Sequence, residues 1–368
     1  MSIETALVPG SSGLTYPLDI EPGTGDGSAV AVAPGVLWLR MPLFASLPWI
    51  NVWAIAEEGG WVVVDTGLRS AMTVDAWEAA FVGAMGNAPV TRVLATHMHP
   101  DHCGMAGWFV ERFNAPLWMS RLEYLTCRLM AADTGSQVPG EGIDFYRAAG
   151  WDEAAIERYK AKFGWFGEMI YPLPASYRRI SAGDAIKIGG REWTVVGGNG
   201  HSPEHACLYC TELKLFISGD QVLPRISSNV SVYPVEPDAD PLGDWLNSLA
   251  EIKKRIPDDV LVLPAHNSPF RGLHARLDQL SESHRRGLAR LREILFKPRR
   301  AVDVFDALYS RPITAGLLGM ATGEAIAHLN YLARTGDAIR ERDERGVWWW
   351  RISDPTIFRQ ATPGIRRE

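Results

Sequence analysis

The sequence has few cysteines, no long apolar run and no internal repeat, and each absence argues against a class of protein. Four cysteines in 368 residues are too few for a disulfide scaffold, so reduced thiols are expected. No stretch of about 18 uncharged apolar residues occurs, which argues against a membrane-spanning helix. The first residues contain neither a basic segment nor an apolar one, so no secretory signal is predicted and a cytoplasmic location is expected.

Charge is also not concentrated enough to identify a partner. The net charge is −6, and it divides unevenly along the chain. Residues 270–368 contain 18 Lys and Arg against 12 Asp and Glu, whereas residues 1–269 contain 19 against 31. Within residues 270–368, the isolated run at 297–300 is the only Lys/Arg-rich segment. A modestly basic C-terminal part can favour an anionic partner, but it is more often a solvated face.

The pattern of apolar residues predicts a chain in three parts. Residues 1–30 are rich in Gly, Ser and Pro and are expected to form an irregular lead-in. From 31 to 269, short β-branched and aromatic segments alternate with amphipathic ones, as in a layered α/β domain, with a helical insertion at about 104–180. From 270 to 368, three amphipathic segments precede a charged turn and the apolar segment 347–352. This order is typical of a small winged-helix-like module.

Individual elements follow from the same periodicity. The predicted strands are 36–41, 51–57, 61–65, 90–95, 185–188, 193–197, 206–210, 215–218 and 260–264. The predicted helices outside the insertion are 70–85, 244–255, 273–296, 301–308 and 320–335.

Three histidines and an aspartate lie within six residues, directly after the predicted strand 90–95. They are His97, His99, Asp101 and His102. Imidazole and carboxylate groups suit zinc and similar divalent ions. A loop at a strand end allows the first two side chains to face one ion while the other two turn toward a second. A polar surface loop is the alternative, but the same ligand types recur downstream.

Three further potential ligands each follow a predicted strand. His201 comes after 193–197, Asp220 after 215–218 and His266 after 260–264. Each lies next to a small residue that leaves space around it. Loops at one edge of a rigid sheet are where functional sites usually lie, so these residues are expected to gather near residues 97–102.

These motifs together resemble the metallo-β-lactamase superfamily. The resemblance extends from about residue 32 to residue 266 and rests on four segments: Thr96–His102, Gly200-His201, Ser218-Gly219-Asp220 and Ala265-His266. It implies a four-layer αββα sandwich formed by 31–269, with the metals at one sheet edge. The implied ligands are His97, His99 and His201 for the first ion, Asp101, His102 and His266 for the second, and Asp220 as a bridge between them.

The resemblance also implies a hydrolase with two divalent metal ions. Zinc is the favoured metal, with iron and manganese as alternatives. Two cations lower the pKa of a water toward neutrality and polarise a carbonyl or phosphoryl oxygen, so no serine or cysteine nucleophile is required. Asp101 is expected to be the catalytic residue that carries a proton to the leaving group.

Two polar residues are expected behind the ligands. Asp65, in Val64-Asp65-Thr66-Gly67, resembles the family's aspartate that braces the metal-binding loops, with an ordinary turn carboxylate as the alternative. His205 is expected to support the site or to be a satisfied buried histidine, and not to be an extra ligand. Cys207 and Cys210 have C-x-x-C spacing but fall in a predicted strand, which favours core packing over a redox or zinc role.

Residues that contact the substrate are less clearly indicated. The loop 43–49 carries Phe44 and Trp49, which could cover the metals and contact an acyl chain or could simply pack. Arg225, Asn229 and Tyr233 come soon after Asp220 and could line the pocket.

Two functions remain in competition at this level. The first is hydrolysis of a small acyl substrate, either a thioester as in glyoxalase II-like members or a lactone as in quorum-quenching members. The alternative is a nuclease or phosphodiesterase, because the C-terminal module resembles the winged-helix tail of the β-lactamase-like protein 2 group. Against nucleic acid, Arg334 is the only Lys or Arg within 320–335. The module is therefore expected to pack on the core or to build a homodimer.

Overall fold

The computed structural model describes residues 13–44, 47–354 and 356. The first part of the predicted lead-in, Ala45 and Ser46 of the predicted substrate loop, and the end of the chain lie outside the described residues. The strands are β1 (Val30–Ala33), β2 (Val36–Pro42), β3 (Trp49–Glu57), β4 (Gly60–Val64), β5 (Val90–Leu94), β6 (Leu117–Met119), β7 (Arg178–Arg179), β8 (Ala185–Ile188), β9 (Arg191–Gly198), β10 (His205–Cys210), β11 (Leu215–Gly219), β12 (Leu261–Pro264), β13 (Ala338–Arg342) and β14 (Trp348–Ile352).

Ten α-helices lie between or after these strands in the described part of the chain. They are α1 (Ala71–Val82), α2 (Pro100–Cys103), α3 (Ala106–Phe113), α4 (Arg121–Ala132), α5 (Gly140–Ala148), α6 (Glu153–Lys162), α7 (Pro241–Arg255), α8 (Leu273–Ile294), α9 (Phe305–Leu308) and α10 (Leu318–Arg334). Short 3-10 helices occupy Trp165–Met169 and Ala301–Val304.

The strands form two main sheets. The first holds β1 to β7 in chain order, antiparallel from β1 to β4 and parallel from β4 to β7. The second has the order β12-β11-β10-β9-β8, antiparallel except for the parallel pair β11 and β12. A separate hairpin joins β13 to β14.

Successive side chains of a strand point to opposite faces of its sheet, and this alternation allows the sheets and helices to pack in layers. In β3, Trp53 and Ile55 belong to one buried cluster, which also contains Trp193 and Leu208 of the second sheet, so these side chains fill the space between the sheets. Val52, which points the other way, belongs to a different buried cluster. Because successive side chains in a strand point to opposite faces, each sheet can be covered on both sides.

Helices cover the two outer faces. On the first sheet, Trp77 of α1 and Phe109 of α3 pack in the cluster that contains Val52, with ring centroids 4.8 Å apart. On the second sheet, Trp245 of α7 and Leu277 of α8 pack in a third cluster. The result is the predicted αββα order.

The C-terminal part shares this third cluster with the second sheet. Ile326 of α10 and Trp350 of β14 are buried in it together with Phe216 of β11. Phe145 of α5 also belongs to the cluster and packs edge-on against Trp348 at 5.6 Å between ring centroids. The C-terminal helices and the helical insertion therefore pack against the α/β core, while the domain limits at 30 and 269 stay predictions.

The predicted elements outside the insertion are present, with ends that differ by a few residues. The predicted helix 301–308 is split into a 3-10 turn and α9, and the predicted charged turn at 341–345 begins inside β13. Within the insertion, the three-residue β6 and two-residue β7 were not predicted, because such short segments carry little periodicity. Among the described residues, no helix is both long and apolar enough to cross a membrane.

Candidate metal centre

The predicted metal ligands follow strands that run in the same direction. β4 and β5 are parallel, and β9, β11 and β12 also share one direction, because β10 is antiparallel to both β9 and β11. The carboxyl ends of strands with one direction meet at one edge of a sheet. The polar residues after these ends are therefore brought together, although they are far apart in sequence.

A short helical turn divides the first motif into two halves. Pro100 occupies the first position of α2, where a missing N–H costs nothing. The carbonyl of His99 accepts from the backbone N–H groups of His102 and Cys103 at 2.9 and 3.0 Å. The chain therefore turns between His99 and Asp101, and their side chains join different groups of potential ligands.

The seven predicted ligands form two adjacent groups. In each group the potential ligand atoms lie within 4.8 Å of one another. One group consists of His97, His99, His201 and Asp220, and the other of Asp101, His102 and His266.

Distances within each group are short. Nε2 of His97 lies 2.8 Å from Nδ1 of His99, and Nε2 of His266 lies 3.4 Å from Oδ2 of Asp101. Nε2 of His102 lies 3.8 Å from the same Asp101 oxygen. This spacing brings the donor atoms of each group around a common point.

Asp220 faces both groups with different oxygens. Its Oδ2 lies 3.4 Å from Nε2 of His201, and its Oδ1 lies 3.5 Å from Nε2 of both His102 and His266. This position would allow Asp220 to bridge two ions, which is the role that the resemblance implies for it.

The donor atoms fit a pair of divalent cations. Nε2 of His102, Nε2 of His201 and Oδ1 of Asp220 are buried and have no hydrogen-bond partner within the described chain. A buried polar atom without a partner is costly, and a cation would satisfy all three. Five imidazoles and two carboxylates form a donor set that suits zinc or another first-row metal.

Electrostatics favour the metal-binding protonation state in four of these groups, namely His97, His99, Asp101 and Asp220. Burial lowers the pKa of His97, and it lowers that of His99 to about 3, with the neighbouring His201 adding to the effect. Burial alone would raise the pKa of Asp101 and Asp220, but the surrounding histidines lower it in both cases. Imidazoles with a free lone pair and ionised carboxylates are the forms that ligate metals.

In three of the five histidines, Nε2 faces the proposed metal position and Nδ1 makes a hydrogen bond to a neighbouring oxygen. Nδ1 of His102 donates to Asp65 at 2.8 Å, and Nδ1 of His201 donates to the carbonyl of Asn229 at 2.7 Å. Nδ1 of His266 donates to the carbonyl of Trp49 at 3.3 Å. Such partners place the proton on Nδ1 and leave the lone pair of Nε2 free to bind a metal.

Asp65 holds the loop that carries the first motif. Its carboxylate accepts from the backbone N–H of Thr96 at 2.8 Å and from the Thr96 hydroxyl at 2.9 and 3.0 Å. Together with the bond to His102, these contacts give Asp65 the bracing geometry that the sequence predicted.

His205 lies behind the site and does not join either ligand group. Its Nε2 accepts from the backbone N–H of Asp220 at 3.2 Å, and its ring stacks on His97 with centroids 4.8 Å apart. Gly219 permits this approach, because a Cβ there would lie 2.6 Å from the His205 ring. Its φ of +50° also favours glycine.

Two bracing residues were missed at the sequence level. Glu123 of α4 is fully buried and accepts from the backbone N–H groups of Met98 at 2.9 Å and Glu204 at 2.7 Å, which joins the two ligand loops. Asn51 of β3 donates to the carbonyl of Pro264, at the end of β12, at 2.8 Å. For Asn51 the available signal was a single polar residue in an apolar strand, whereas Glu123 lies in an amphipathic helix and gave no such signal.

The predicted substrate contacts have different surroundings. Phe44 is 62% exposed beside the part of its loop that lies outside the described residues. Trp49 stacks on Arg40, with 4.3 Å between the guanidinium and the ring, and Arg225 lies over Tyr16 at 5.2 Å.

The other two candidates lie in the segment after Asp220. Tyr233 is 43% exposed, whereas Asn229 is half-buried and its carbonyl contacts His201. Asn229 is therefore better placed to orient a ligand than to touch a substrate.

The cysteines pack in the core. Cys207 and Cys210 are buried in β10, and Cys207 donates to the carbonyl of Ser218 at 3.5 Å. Cys103 lies 3.7 Å from Cys127 between sulfur atoms, and both are buried.

Comparison with known proteins gives the family. A model described as the metallo-β-lactamase superfamily matches residues 50–266, more than half of the chain. The chain belongs to the metallo-β-lactamase superfamily. A second model, described as the metallo-β-lactamase-like C-terminal domain, matches residues 288–353. Members of this superfamily are metal-binding hydrolases, and the two His/Asp groups fit a dinuclear site.

Individual relatives agree with this assignment. A β-lactamase domain protein from Burkholderia ambifaria is 39% identical, with a TM-score of 0.84 over 93% of this chain and 99% of that one. The metallo-β-lactamase family protein TTHA1429 from Thermus thermophilus has the same fold, at 24% identity and a TM-score of 0.74 over 88% of this chain and all of that one. The acyl-coenzyme A thioesterase MBLAC2 of Gallus gallus is 28% identical over 55% of this chain and 70% of its own length.

Proposed function

We propose that this protein is a dinuclear metal-dependent hydrolase that cleaves an acyl thioester, with zinc as the favoured metal. The observation that carries the proposal is the position of Asp220, whose two carboxylate oxygens face the two groups of ligands separately. A metal site built only for stability is closed and uses four ligands, whereas seven donors around a shared carboxylate are typical of a catalytic pair of ions.

The residues would divide between the ions as the two groups suggest. His97, His99 and His201 would hold one ion, and Asp101, His102 and His266 the other, with Asp220 shared between them. When bound, the two cations would polarise the acyl carbonyl and lower the pKa of a water molecule toward neutrality.

Asp101 is proposed to move the proton. Its side chain is 27% exposed, the most open of the carboxylates in the site, so it can reach both a water and a leaving group. The water oxygen bonds to the acyl carbon and the carbon–sulfur bond breaks. The carboxylate of Asp101 accepts a proton from the water and passes it to the departing sulfur, which yields a carboxylic acid and a thiol.

The choice of a thioester rests on named relatives. Three proteins, from Gallus gallus, Bos taurus and Homo sapiens, carry the name acyl-coenzyme A thioesterase MBLAC2 and are 22 to 28% identical to this chain. Exposed apolar groups, such as Phe44 and Tyr233, are suited to contact an acyl chain. A lactone remains the second acyl substrate, since its carbonyl requires the same machinery.

The nuclease alternative has less support. In a winged-helix protein the recognition helix must enter a groove of the nucleic acid, so one of its faces must be open and basic. Most of α10 is buried, including Ala321 through Asn330. On the adjoining hairpin, Arg340 pairs with Asp238 and Arg351 pairs with Glu341. These contacts favour a structural role for the C-terminal module, packed against the rest of the chain, over nucleic-acid binding.

The test is hydrolysis by zinc-loaded protein of an acyl-coenzyme A thioester, a medium-chain acyl lactone and a simple phosphodiester. We expect cleavage of the thioester, its loss after treatment with EDTA and its recovery when zinc is restored. Metal analysis of the purified protein would distinguish zinc from iron and manganese. Cleavage of the phosphodiester alone would refute the proposal.

Variants of two histidines provide the matched comparison. His97→Ala should abolish hydrolysis, because it removes a proposed ligand. His274→Ala should retain it, because His274 lies in α8 and its Nε2 contacts the carbonyl of Ile256 at 2.8 Å, outside both groups. Full activity of His97→Ala would contradict the assignment of the site.

A further inference from the structure

A chain of two hydrogen bonds joins the metal centre to the C-terminal helix α10. The backbone carbonyl of Asn229 accepts from Nδ1 of His201 at 2.7 Å. The side-chain amide of the same residue donates to Oε2 of Glu324 at 3.0 Å. Asn229 thus contacts a proposed ligand with its backbone and α10 with its side chain.

Glu324 is an unusual group to find at this position in the helix. It is 2% exposed, and within the described chain its carboxylate contacts Asn229 and the hydroxyl of Tyr309, at 3.2 Å, but no cation. A buried carboxylate without a cationic partner is costly, and burial raises the pKa of Glu324 to about 7. Costly polar groups of this kind tend to be found where function requires them.

Backbone contacts hold α10 close to the same segment. The N–H of Val232 donates to the carbonyl of Gly323 at 3.0 Å. The hydroxyl of Ser231 donates to Oδ1 of Asn229 and lies 3.3 Å from the carbonyl of Met320. A Cβ on Gly323 would lie 2.8 Å from both Ser231 Oγ and the carbonyl oxygen of Val232. The helix and the segment after Asp220 therefore pack at a distance that only glycine allows.

The direction of these hydrogen bonds fixes the tautomer of His201. A carbonyl can only accept, so the Asn229 carbonyl requires the proton of His201 to be on Nδ1. The lone pair of Nε2 then faces Asp220, 3.4 Å away, where the proposed ion would bind. Fixing the ring in this orientation improves its competence as a ligand.

An alternative use of Glu324 is direct metal binding. Its carboxylate and the rings of His284 and His328 lie within 4.8 Å of one another. However, Nδ1 of His284 lies 3.1 Å from Nε2 of His328, and Nδ1 of His328 donates to the Glu324 carbonyl at 2.8 Å. Hydrogen bonds already use Nδ1 of His284 and both ring nitrogens of His328, which favours a polar network, while Nε2 of His284 has no partner within the described residues.

We propose that Glu324 is a positioning residue for the metal centre: it holds Asn229 so that the Asn229 carbonyl orients His201, which makes the C-terminal module part of the site. The inference rests on the proposed ligation of a metal by His201, and it does not depend on the identity of the substrate.

The test measures metal binding by the full-length protein, using competition with a chromogenic chelator and the visible spectrum of the cobalt(II)-substituted form. Glu324→Ala should weaken the binding of one of the two ions by about 10- to 100-fold and alter the cobalt spectrum. Glu324→Gln should retain most of the affinity, because its amide oxygen still accepts from Asn229. If Glu324→Ala does not fold, Asn229→Ala should give the same loss, because it removes the side-chain link and keeps the carbonyl.

Asn330→Ala is the matched control. Asn330 is a buried polar residue of the same helix, and its amide donates to the carbonyls of Pro237 and Ala239 at 3.1 and 3.0 Å, away from both ligand groups. It should lose stability and keep both ions.

Three outcomes would overturn the proposal. They are wild-type metal affinity in Glu324→Ala, an equal loss of affinity in Asn330→Ala, and a third ion in the wild type that Glu324→Ala alone removes. A wild-type protein that binds two ions and cleaves no thioester would refute the proposed substrate and leave this inference standing.

Discussion

The carboxylate of Asp65 accepts a hydrogen bond from Nδ1 of His102 over 2.8 Å, with both side chains buried. The same carboxylate accepts from the backbone N–H of Thr96, just before the first ligand. Asp65 has a φ of +60°, which asparagine tolerates as well as aspartate does. Replacement by asparagine therefore changes the chemistry of this contact without straining the backbone.

Asp65→Asn is expected to lower metal affinity by about 10- to 100-fold, because the amide cannot accept at both oxygen positions. Competition with a chelator measures this loss. Asp184→Asn is the control, since its carboxylate accepts from Ser181 in an exposed turn. Equal affinities in the two variants would mean that Asp65 does not support the ligand.

Glu123→Gln is expected to reduce the free energy of unfolding by about 1 to 3 kcal/mol. The carboxylate accepts from two buried N–H groups, those of Met98 and Glu204, and the glutamine oxygen can serve one of them. Urea denaturation measures the change. The exposed Glu141→Gln should be almost neutral, and a similar effect in both variants would contradict the prediction.

Gly219→Ala is expected to reduce both stability and metal binding. The new Cβ would lie 2.6 Å from the His205 ring, and the φ of +50° adds a strain of about 1 to 2 kcal/mol. Adding His205→Ala should recover part of the loss, because the clash disappears and the backbone strain remains. Thermal denaturation of the single and double variants checks this, and purely additive effects would exclude the clash.

Glu324 is expected to make the protein less stable as pH rises from about 4.5 to 7. Burial raises its pKa from 4.5 to about 7, so the folded state binds the proton more tightly than the unfolded state. Its contribution is present in full below pH 4.5 and is lost as pH rises through 7, with an upper limit of about 3 kcal/mol.

Other titratable groups near Glu324 also make stability depend on pH, so the measurement has to separate their effect from that of Glu324. Tyr309 and Asn229 contact its carboxylate, and the adjacent His284 and His328 have pKa values that burial lowers to about 3 and 4. These histidines make stability rise with pH, which opposes the effect of Glu324. The difference between wild type and Glu324→Gln in urea denaturation cancels their contribution. A difference that stays constant between pH 5 and 7.5 would argue against a raised pKa.

The sequence was informative wherever function depends on residue type at a strand end. His97, His201, Asp220 and His266 each follow an apolar segment that could be predicted from its period, and the structure brings them together as expected. Such residues were visible because loops at the carboxyl ends of strands accept polar groups that the strands exclude. Asp65 was predicted only from its resemblance to the family's bracing aspartate.

Residues whose role depends on long-range contacts could not be predicted from local sequence patterns. Glu123 and Glu324 are single acidic residues within amphipathic helices, where the ordinary expectation is a solvated face. Only the packing of α4 and α10 turns them inward, toward the ligand loops and Asn229 respectively. The backbone carbonyl of Asn229, which was predicted as a pocket residue, contacts His201.

The sequence by itself therefore determined the helices and strands through local periodicity, and its ligand motifs determined the resemblance to the family, which in turn implied the αββα layers and the set of potential ligands. The tertiary structure decided which groups support those ligands and how the C-terminal helices approach the site. Those relationships depend on side chains that are distant in sequence and come into contact only when the sheets and helices pack. Local sequence patterns do not predict such contacts.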